Sequence, residues 1–373
     1  MEVDKDRYFS GQLCTSHNGF KIFGVYLHSQ SKTDMRKRYI FFILGFILII
    51  LVTGIAGIVT VLNRPFQVEK GTYLYIDTDD NIDSVYHKLT TQLHASTLKG
   101  IKLLVTVGGL DPIHPGAYQF GQADNALTAY RRLKAGAQTP VNLTIPSVRT
   151  VSKLLRTVSH QLMTDSASLA RLLMDSTYCA QIGYTRETLP CLFLPNTYEV
   201  YWTMTPEAFV KRMQKEHDRF WNKERKAKAQ SIGLTPEEVV TLASIVEEET
   251  ANNAEKPMVA GLYMNRLHAE MPLQADPTVK FALQDFGLRR ILHAHLETES
   301  PYNTYKHTGL PPGPIRIPSI QGIESVLNYT RHDYLYMCAK EDFSGTHNFA
   351  ATFTQHLANA RKYQQELNRR KIK

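Results

Sequence analysis

Residues Thr235 to Pro277 read TPEEVVTLASIVEEETANNAEKPMVAGLYMNRLHAEMPLQADP, and the rest of the chain is organised around this stretch. Thr235, Pro236 and Glu238 supply an N-cap, a proline suited to the first helical turn and the acid of a capping box. The spacing predicts a helix from Thr235 to about Thr250 that closes on Glu247, Glu248 and Glu249. At about 100° per residue, Val239, Leu242, Ala243, Ile245 and Val246 share an apolar arc, and Glu249 falls inside it. Glu248 points the other way and Glu247 lies at the edge. A carboxyl on a buried face loses hydration, which raises its pKa and favours the protonated form of a general acid. Glu249 is therefore the candidate acid, set against the plainer reading of an acidic run as a solvated helix face.

Outward from this helix, Met258 to Leu267 predicts a second helix, and Leu273 to Thr278 a loop carrying Gln274 and Asp276. Pro301 to Pro318 (PYNTYKHTGLPPGPIRIP) holds too many prolines and glycines for a helix or a central strand. A long structured loop there would present Tyr302, Asn303, Thr304 and Tyr305 to a groove. Tyr334 to Ala339 alternates as a strand, His347 to Phe353 begins a further element, and Gln355 to Leu367 predicts a last helix.

The stretches LASIVEEETA, LYMNRL, MPLQADPTV, PYNTYKHTGLPPGPI and THNFAATFTQH resemble, in order and spacing, the YceG-like (MltG) endolytic murein transglycosylases. The resemblance covers the chain from an apolar N-terminal segment to about Gln365. It implies a mixed α+β catalytic domain, peptidoglycan as substrate and Glu249 as the catalytic acid. It also places Gln274 and Asp276 beside the cleft and matches His347 and His356 to the family's two C-terminal histidines. Phe193 to Tyr198 (FLPNTY) resembles a further family segment, with Asn196 where Asp is usual, and Thr197 or Tyr198 would offer hydroxyls to a sugar. Ile317 and Ser319 depart from the family pattern, where Asn and Gly are usual.

Toward the N-terminus, Pro206 to Ala229 predicts one long helix and Ser166 to Gly183 another. Tyr73 to Leu89, Tyr118 to Leu133 and Leu143 to Leu155 each pass from a short strand through a polar turn into an amphipathic helix, and Ile101 to Val107 reads as an additional strand. HPGAYQF and the helix after it resemble the LysM-like part of the family, which implies wall contact for residues 66–165; a purely structural module fits the same pattern.

Tyr39 to Leu62 is an uncharged apolar run of about 36 Å as a helix, enough to cross a bilayer core of about 30 Å. Lys32, Arg36, Lys37 and Arg38 flank its N-terminal side, which places residues 1–38 in the cytoplasm and the remainder outside. Residues 1–38 lack helical periodicity and read as a tail, as does the basic end 366–373. The fold class expected is α+β: cytoplasmic tail 1–38, transmembrane helix 39–62, LysM-like module 66–165, catalytic domain 166–365.

A net charge of +8 could indicate nucleic acid, but the basic residues are scattered and no nucleic-acid motif accompanies them. Anionic lipid or anionic wall is the better partner. Peptidoglycan synthases are partners that the resemblance implies. Cys179 and Cys191 read as free or paired, and no metal or other cofactor is expected.

Two other functions fit the same residues. A hydrolytic muramidase would recruit Asp276 or Glu247 as a second carboxylate, and a wall-binding scaffold would have no activity.

Overall fold

The computed structural model describes residues 19–66, 71–92, 98–288 and 290–370. The chain begins with helix α1 (Gly19–Asn63), followed by β1 (Thr72–Ile76), α2 (Ile82–Gln92), α3 (Leu98–Gly108), β2 (Gly116–Phe120), α4 (Ala126–Ala135), β3 (Val141–Ile145) and α5 (Val151–Ser159). Then come α6 (Ser166–Leu173), α7 (Ser176–Gln181), a 3-10 turn (Leu189–Leu192), β4 (Asn196–Val200), α8 (Pro206–Phe220), α9 (Lys223–Ser231), α10 (Pro236–Glu249) and α11 (Lys256–His268). The chain closes with α12 (Asp276–Leu283), α13 (His293–Leu296), α14 (Ile320–Leu327), β5 (Tyr336–Ala339), β6 (His347–Ala350) and α15 (Phe353–Arg369). Among the described residues the strands pair only in twos, β1 with β2, β3 with β4 and β5 with β6, so the fold is mixed α+β.

Two compact units are present. The first comprises Met1–Thr72, Ile82–Pro112 and Phe120–Ala135, the second Tyr73–Asn81, Ile113–Gln119 and Gly136–Lys373, each in so far as it is described. In the first unit α1 is long and apolar enough over Asp34–Asn63 to cross a membrane. Its helical backbone reaches back to Gly19, so residues 19–38, read as a tail for want of helical periodicity, are helical. Their mixed composition carries no apolar period to read, yet extending a helix costs little once it has begun.

The segment predicted as a strand at Ile101 to Val107 is helix α3. Its Val and Ile content favours a strand, but the covered positions, Gly100, Ile101, Leu104 and Val105, recur at helical spacing. Two predicted long helices are each broken. Asp175 starts α7 by accepting a bond from Thr177 N at 2.8 Å, and Asn222 starts α9 by accepting from Arg225 N at 2.9 Å after the buried Trp221. Both breaks are caps inside an otherwise helical pattern.

In the second unit β3 runs antiparallel to β4, with Leu143 opposite Tyr198 and Ile145 opposite Asn196. Tyr198, Phe193, Phe209 and Met213 pack there in one apolar cluster. A second cluster surrounds α10, whose residues Val239 to Val246 are all buried, and draws in Val259, Leu262 and Tyr263 of α11 and Ile323 and Val326 of α14. Helix α10 is thus held by packing over most of its length. The last turn of α10 therefore has little freedom to move.

Cys179 and Cys191 are free and buried, and the loop over Pro301 to Pro318 contains no helix or strand, as its prolines predict.

Candidate active site

Helix α10 starts as its sequence dictates: Glu238 N–H donates to Thr235 Oγ1 at 3.2 Å, and Thr235 N–H donates to Glu238 Oε2 at 2.8 Å. It ends on the three glutamates, and their surroundings differ sharply. Glu247 accepts from Lys256 Nζ at 2.8 Å and from Ser319 Oγ at 2.8 Å. Glu248 accepts a forked pair from Arg149, at 2.7 and 2.8 Å, and a further bond from Arg316 Nη1 at 2.9 Å. Neither faces open water, so the solvated-face reading fails for the whole triplet. Glu249 forms no ion pair among the described residues and accepts one hydrogen bond, from Tyr263 Oη at 2.8 Å.

Glu249 lines a polar cleft of about 290 Å³ together with Tyr263, Arg266, Gln274, Asp276, Tyr305, Cys338 and His347. It retains some accessible surface, yet protein is packed densely around the carboxyl itself. Burial pushes its pKa up to about 7, the bond from Tyr263 and the charges of His347 and Lys280 pull it down, and the Asp276 carboxylate pushes it up. Placement at the C-terminal end of a helix works in the same upward direction as burial. A carboxyl with these neighbours can carry a proton near neutral pH and lose it reversibly.

The facing wall comes from the segment before α12. Gln274 sits at φ +50°, held there by a backbone bond from its N–H to Thr304 O at 3.0 Å and by Arg266 Nη1 donating to its Oε1 at 3.3 Å. Asp276 accepts from Tyr305 Oη at 2.6 Å and begins α12, so the loop predicted to run to Thr278 ends at Ala275. Arg266 also donates to the carbonyls of Leu335 at 2.7 Å and Leu273 at 2.8 Å, tying α11 to both walls. His347, the first residue of β6, is fixed by Glu255: Nδ1 lies 2.9 Å from Oε2, and its backbone N–H donates to Oε1 at 2.6 Å.

A profile of the YceG-like family matches residues 74–362. The chain belongs to the YceG-like family. Among its relatives, the protein named endolytic murein transglycosylase of Bacillus subtilis strain 168 is 36% identical over 157 residues, 42% of this chain and 42% of the relative. The protein of the same name from Streptococcus pneumoniae strain D39 is 26% identical over 338 residues, 81% of this chain and 61% of the relative. This YceG-like chain thus matches less than two thirds of the length of these relatives. The crystal structure of a YceG-like protein from Listeria monocytogenes superposes with a TM-score of 0.53 at 25% identity, over 77% of this chain and 97% of that one.

Of the residues singled out from sequence, the YceG-like fold brings Glu249, Gln274, Asp276 and His347 to one cleft. It does not bring Tyr198, Tyr302, Asn303 or Thr304 to it. Tyr198 is buried in the β3–β4 core and donates to Leu194 O at 2.8 Å. Tyr302 packs against Phe281 with ring centres 4.7 Å apart, and burial pushes its pKa up to about 12. Asn303 is fully buried, its Nδ2 donating to Leu296 O and Thr298 O at 2.8 Å each. Thr304 Oγ1 accepts from Ala275 N at 3.0 Å and lies 2.8 Å from Thr278 Oγ1. These loop residues brace the wall from behind rather than line it, because a loop without secondary structure must satisfy its own buried polar groups.

Tyr263, Arg266 and Glu255 were not read from sequence as site residues. Tyr263 and Arg266 are three positions apart on α11, one face of a helix, and that spacing within the LYMNRL motif was the available signal. Ser319, where the family usually has Gly, caps α14 by accepting from Gly322 N at 3.0 Å and also bonds Glu247. His356 stacks on Tyr336 outside the cleft, at 5.5 Å.

Proposed function

We propose that this chain is a membrane-anchored endolytic murein transglycosylase that cuts the glycosidic bond between N-acetylmuramic acid and N-acetylglucosamine in nascent peptidoglycan. The observation that carries the reading is Glu249: a carboxyl in a polar cleft, bonded to Tyr263 and to no cation among the described residues, with a pKa raised to about 7. The family relationship and the names of the relatives support the same substrate.

Protonated Glu249 gives its proton to the glycosidic oxygen as the bond to C1 breaks. Tyr263 occupies Oε1, which leaves Oε2 to carry that proton. The Asp276 carboxylate, held by Tyr305, offers negative charge toward the positive charge that develops at the sugar ring. Glu249, now a carboxylate, then takes the proton of the C6 hydroxyl as this oxygen attacks C1, and a 1,6-anhydromuramyl end forms with no water consumed. A hydroxyl already attached to the reacting sugar has a high effective concentration, so a second protein nucleophile is unnecessary. Gln274 and His347 would bond acetamido and hydroxyl groups.

Tyr39 to Leu62 anchors the chain in the cytoplasmic membrane with residues 1–38 inside, residues 66–165 act as the LysM-like wall-contacting module, and 166–365 form the catalytic domain. Cutting there, beside peptidoglycan synthases, would limit the length of growing strands.

A second reading, hydrolysis, is favoured by one observation: Asp276 shares the cleft with Glu249. Glu247 is no candidate for that role, being tied to Lys256 and Ser319. Mass spectrometry of uncrosslinked glycan strands treated with the full-length protein separates the readings. Anhydro ends that vanish in Glu249→Gln support transglycosylation; reducing ends that vanish in Asp276→Asn support hydrolysis; no cleavage by the folded protein leaves only a scaffold.

A further inference from the structure

We propose that α3 lies on the outer surface of the membrane that α1 spans, with Leu103 and Val107 in the lipid interface, so that the chain meets lipid through a second element besides its anchor. This rests on reading α1 as a membrane span. At about 100° per residue, Gly100, Leu103, Leu104 and Val107 fall within one arc of roughly 100° on α3. Gly100, at the start of that arc, is pressed between α4 and the last turn of α1: a Cβ there would stand 2.8 Å from Ala126 Cβ, 3.2 Å from Val61 O and 3.5 Å from Val61 Cγ1. A glycine is needed at that approach, and the two contacts seat the start of α3 beside the end of α1.

Farther along the same face Leu104 is partly covered, whereas Leu103 is 39% exposed and Val107 is 83% exposed among the described residues. A row that begins against the exit turn of a membrane helix and ends in exposed apolar side chains lies where hydrocarbon gives way to headgroups, and apolar side chains at that depth gain by insertion. Lys99 and Lys102 are exposed beside the row, and Arg64 is exposed just after α1 ends. Basic groups flanking an interfacial apolar stripe favour an anionic bilayer surface, their stems lying along the apolar boundary. The helix is about 16 Å long, enough to seat both side chains on one leaflet without crossing it.

The test is spin-label accessibility in the full chain reconstituted into vesicles of phosphatidylethanolamine and phosphatidylglycerol. Labels are placed singly by Leu48→Cys, Leu103→Cys and Val107→Cys, with Cys14 and Cys338 changed to Ser; Leu48 lies inside the apolar run of α1. The expected result is a preference for oxygen over a water-soluble nickel chelate at all three positions, shallower at Leu103 and Val107 than at Leu48. Lipid exposure at Leu48 with chelate access at Leu103 and Val107 overturns the inference and leaves the anchor standing. Chelate access at Leu48 overturns the anchor itself, and the inference with it. Protection of Leu103 and Val107 from both reagents means that a glycan or a second copy of the chain covers the stripe, which also overturns the lipid assignment.

Discussion

The two sides of the last turn of α10 place near-identical groups in opposite surroundings. On one side Glu247 and Glu248 are matched by Lys256, Arg149 and Arg316, and their charges are neutralised where they stand. On the other side Glu249 meets a tyrosine hydroxyl and a second carboxylate across a cleft. Ion-paired carboxylates are tied to their cations, whereas a buried carboxyl with no ion pair among the described residues favours its protonated form, so the first side serves the architecture and the second can serve proton transfer. Helical phase separates Glu249 from its neighbours, but only the partners reveal that the neighbours are structural.

The largest effect that would break this contrast is on rate. Glu249→Gln should lower the formation of anhydro ends by about a hundredfold to ten-thousandfold with the thermal unfolding profile retained, because the amide keeps the shape but cannot give and regain a proton. Retained activity in a folded Glu249→Gln protein moves the acid elsewhere. Glu247→Gln should do the reverse. It leaves Lys256, whose side chain is 4% exposed, without its partner, and should cost about 3–5 kcal/mol in chemical denaturation while the remaining folded protein stays active.

Asn303→Ala should be milder again. Two donors and one acceptor that organise the loop are lost, for about 1–3 kcal/mol by the same denaturation measurement. Unchanged stability with loss of glycan cleavage would return Asn303 to the groove.

Much of the site was legible because helical period and capping chemistry are local. The Thr235 to Glu238 capping box, the phase of Glu249 and the proline-rich loop all follow from neighbours in sequence. The same local rules misjudge Asn303 and Thr304, since polar and aromatic residues in a loop look alike whether they face a ligand or satisfy buried backbone groups. Their bonds to Leu296, Thr298 and Ala275 depend on how the loop folds over α12. Ile101 to Val107 misleads for a different reason: a short apolar run has no clear period, and contact with distant residues decides between strand and helix.

The smallest expected effects are shifts in pH dependence, and they sharpen the contrast most. Tyr263→Phe removes the bond that pulls the Glu249 pKa down, so the falling limb of activity should move to higher pH. Asp276→Asn removes the charge that pushes it up, so the limb should move to lower pH. Shifts in the same direction for both variants would contradict these assignments.

The most direct measurement is the pH profile of kcat/KM for anhydro-end formation by the unmodified protein. A general acid works only while protonated, and Glu249 is raised by burial to about 7. Activity should therefore hold below that pH and fall about tenfold per unit above it. A profile that already falls near pH 4.5, the ordinary glutamate value, or one that stays flat well above neutrality, would contradict the account of Glu249 as a buried acid with no ion pair among the described residues.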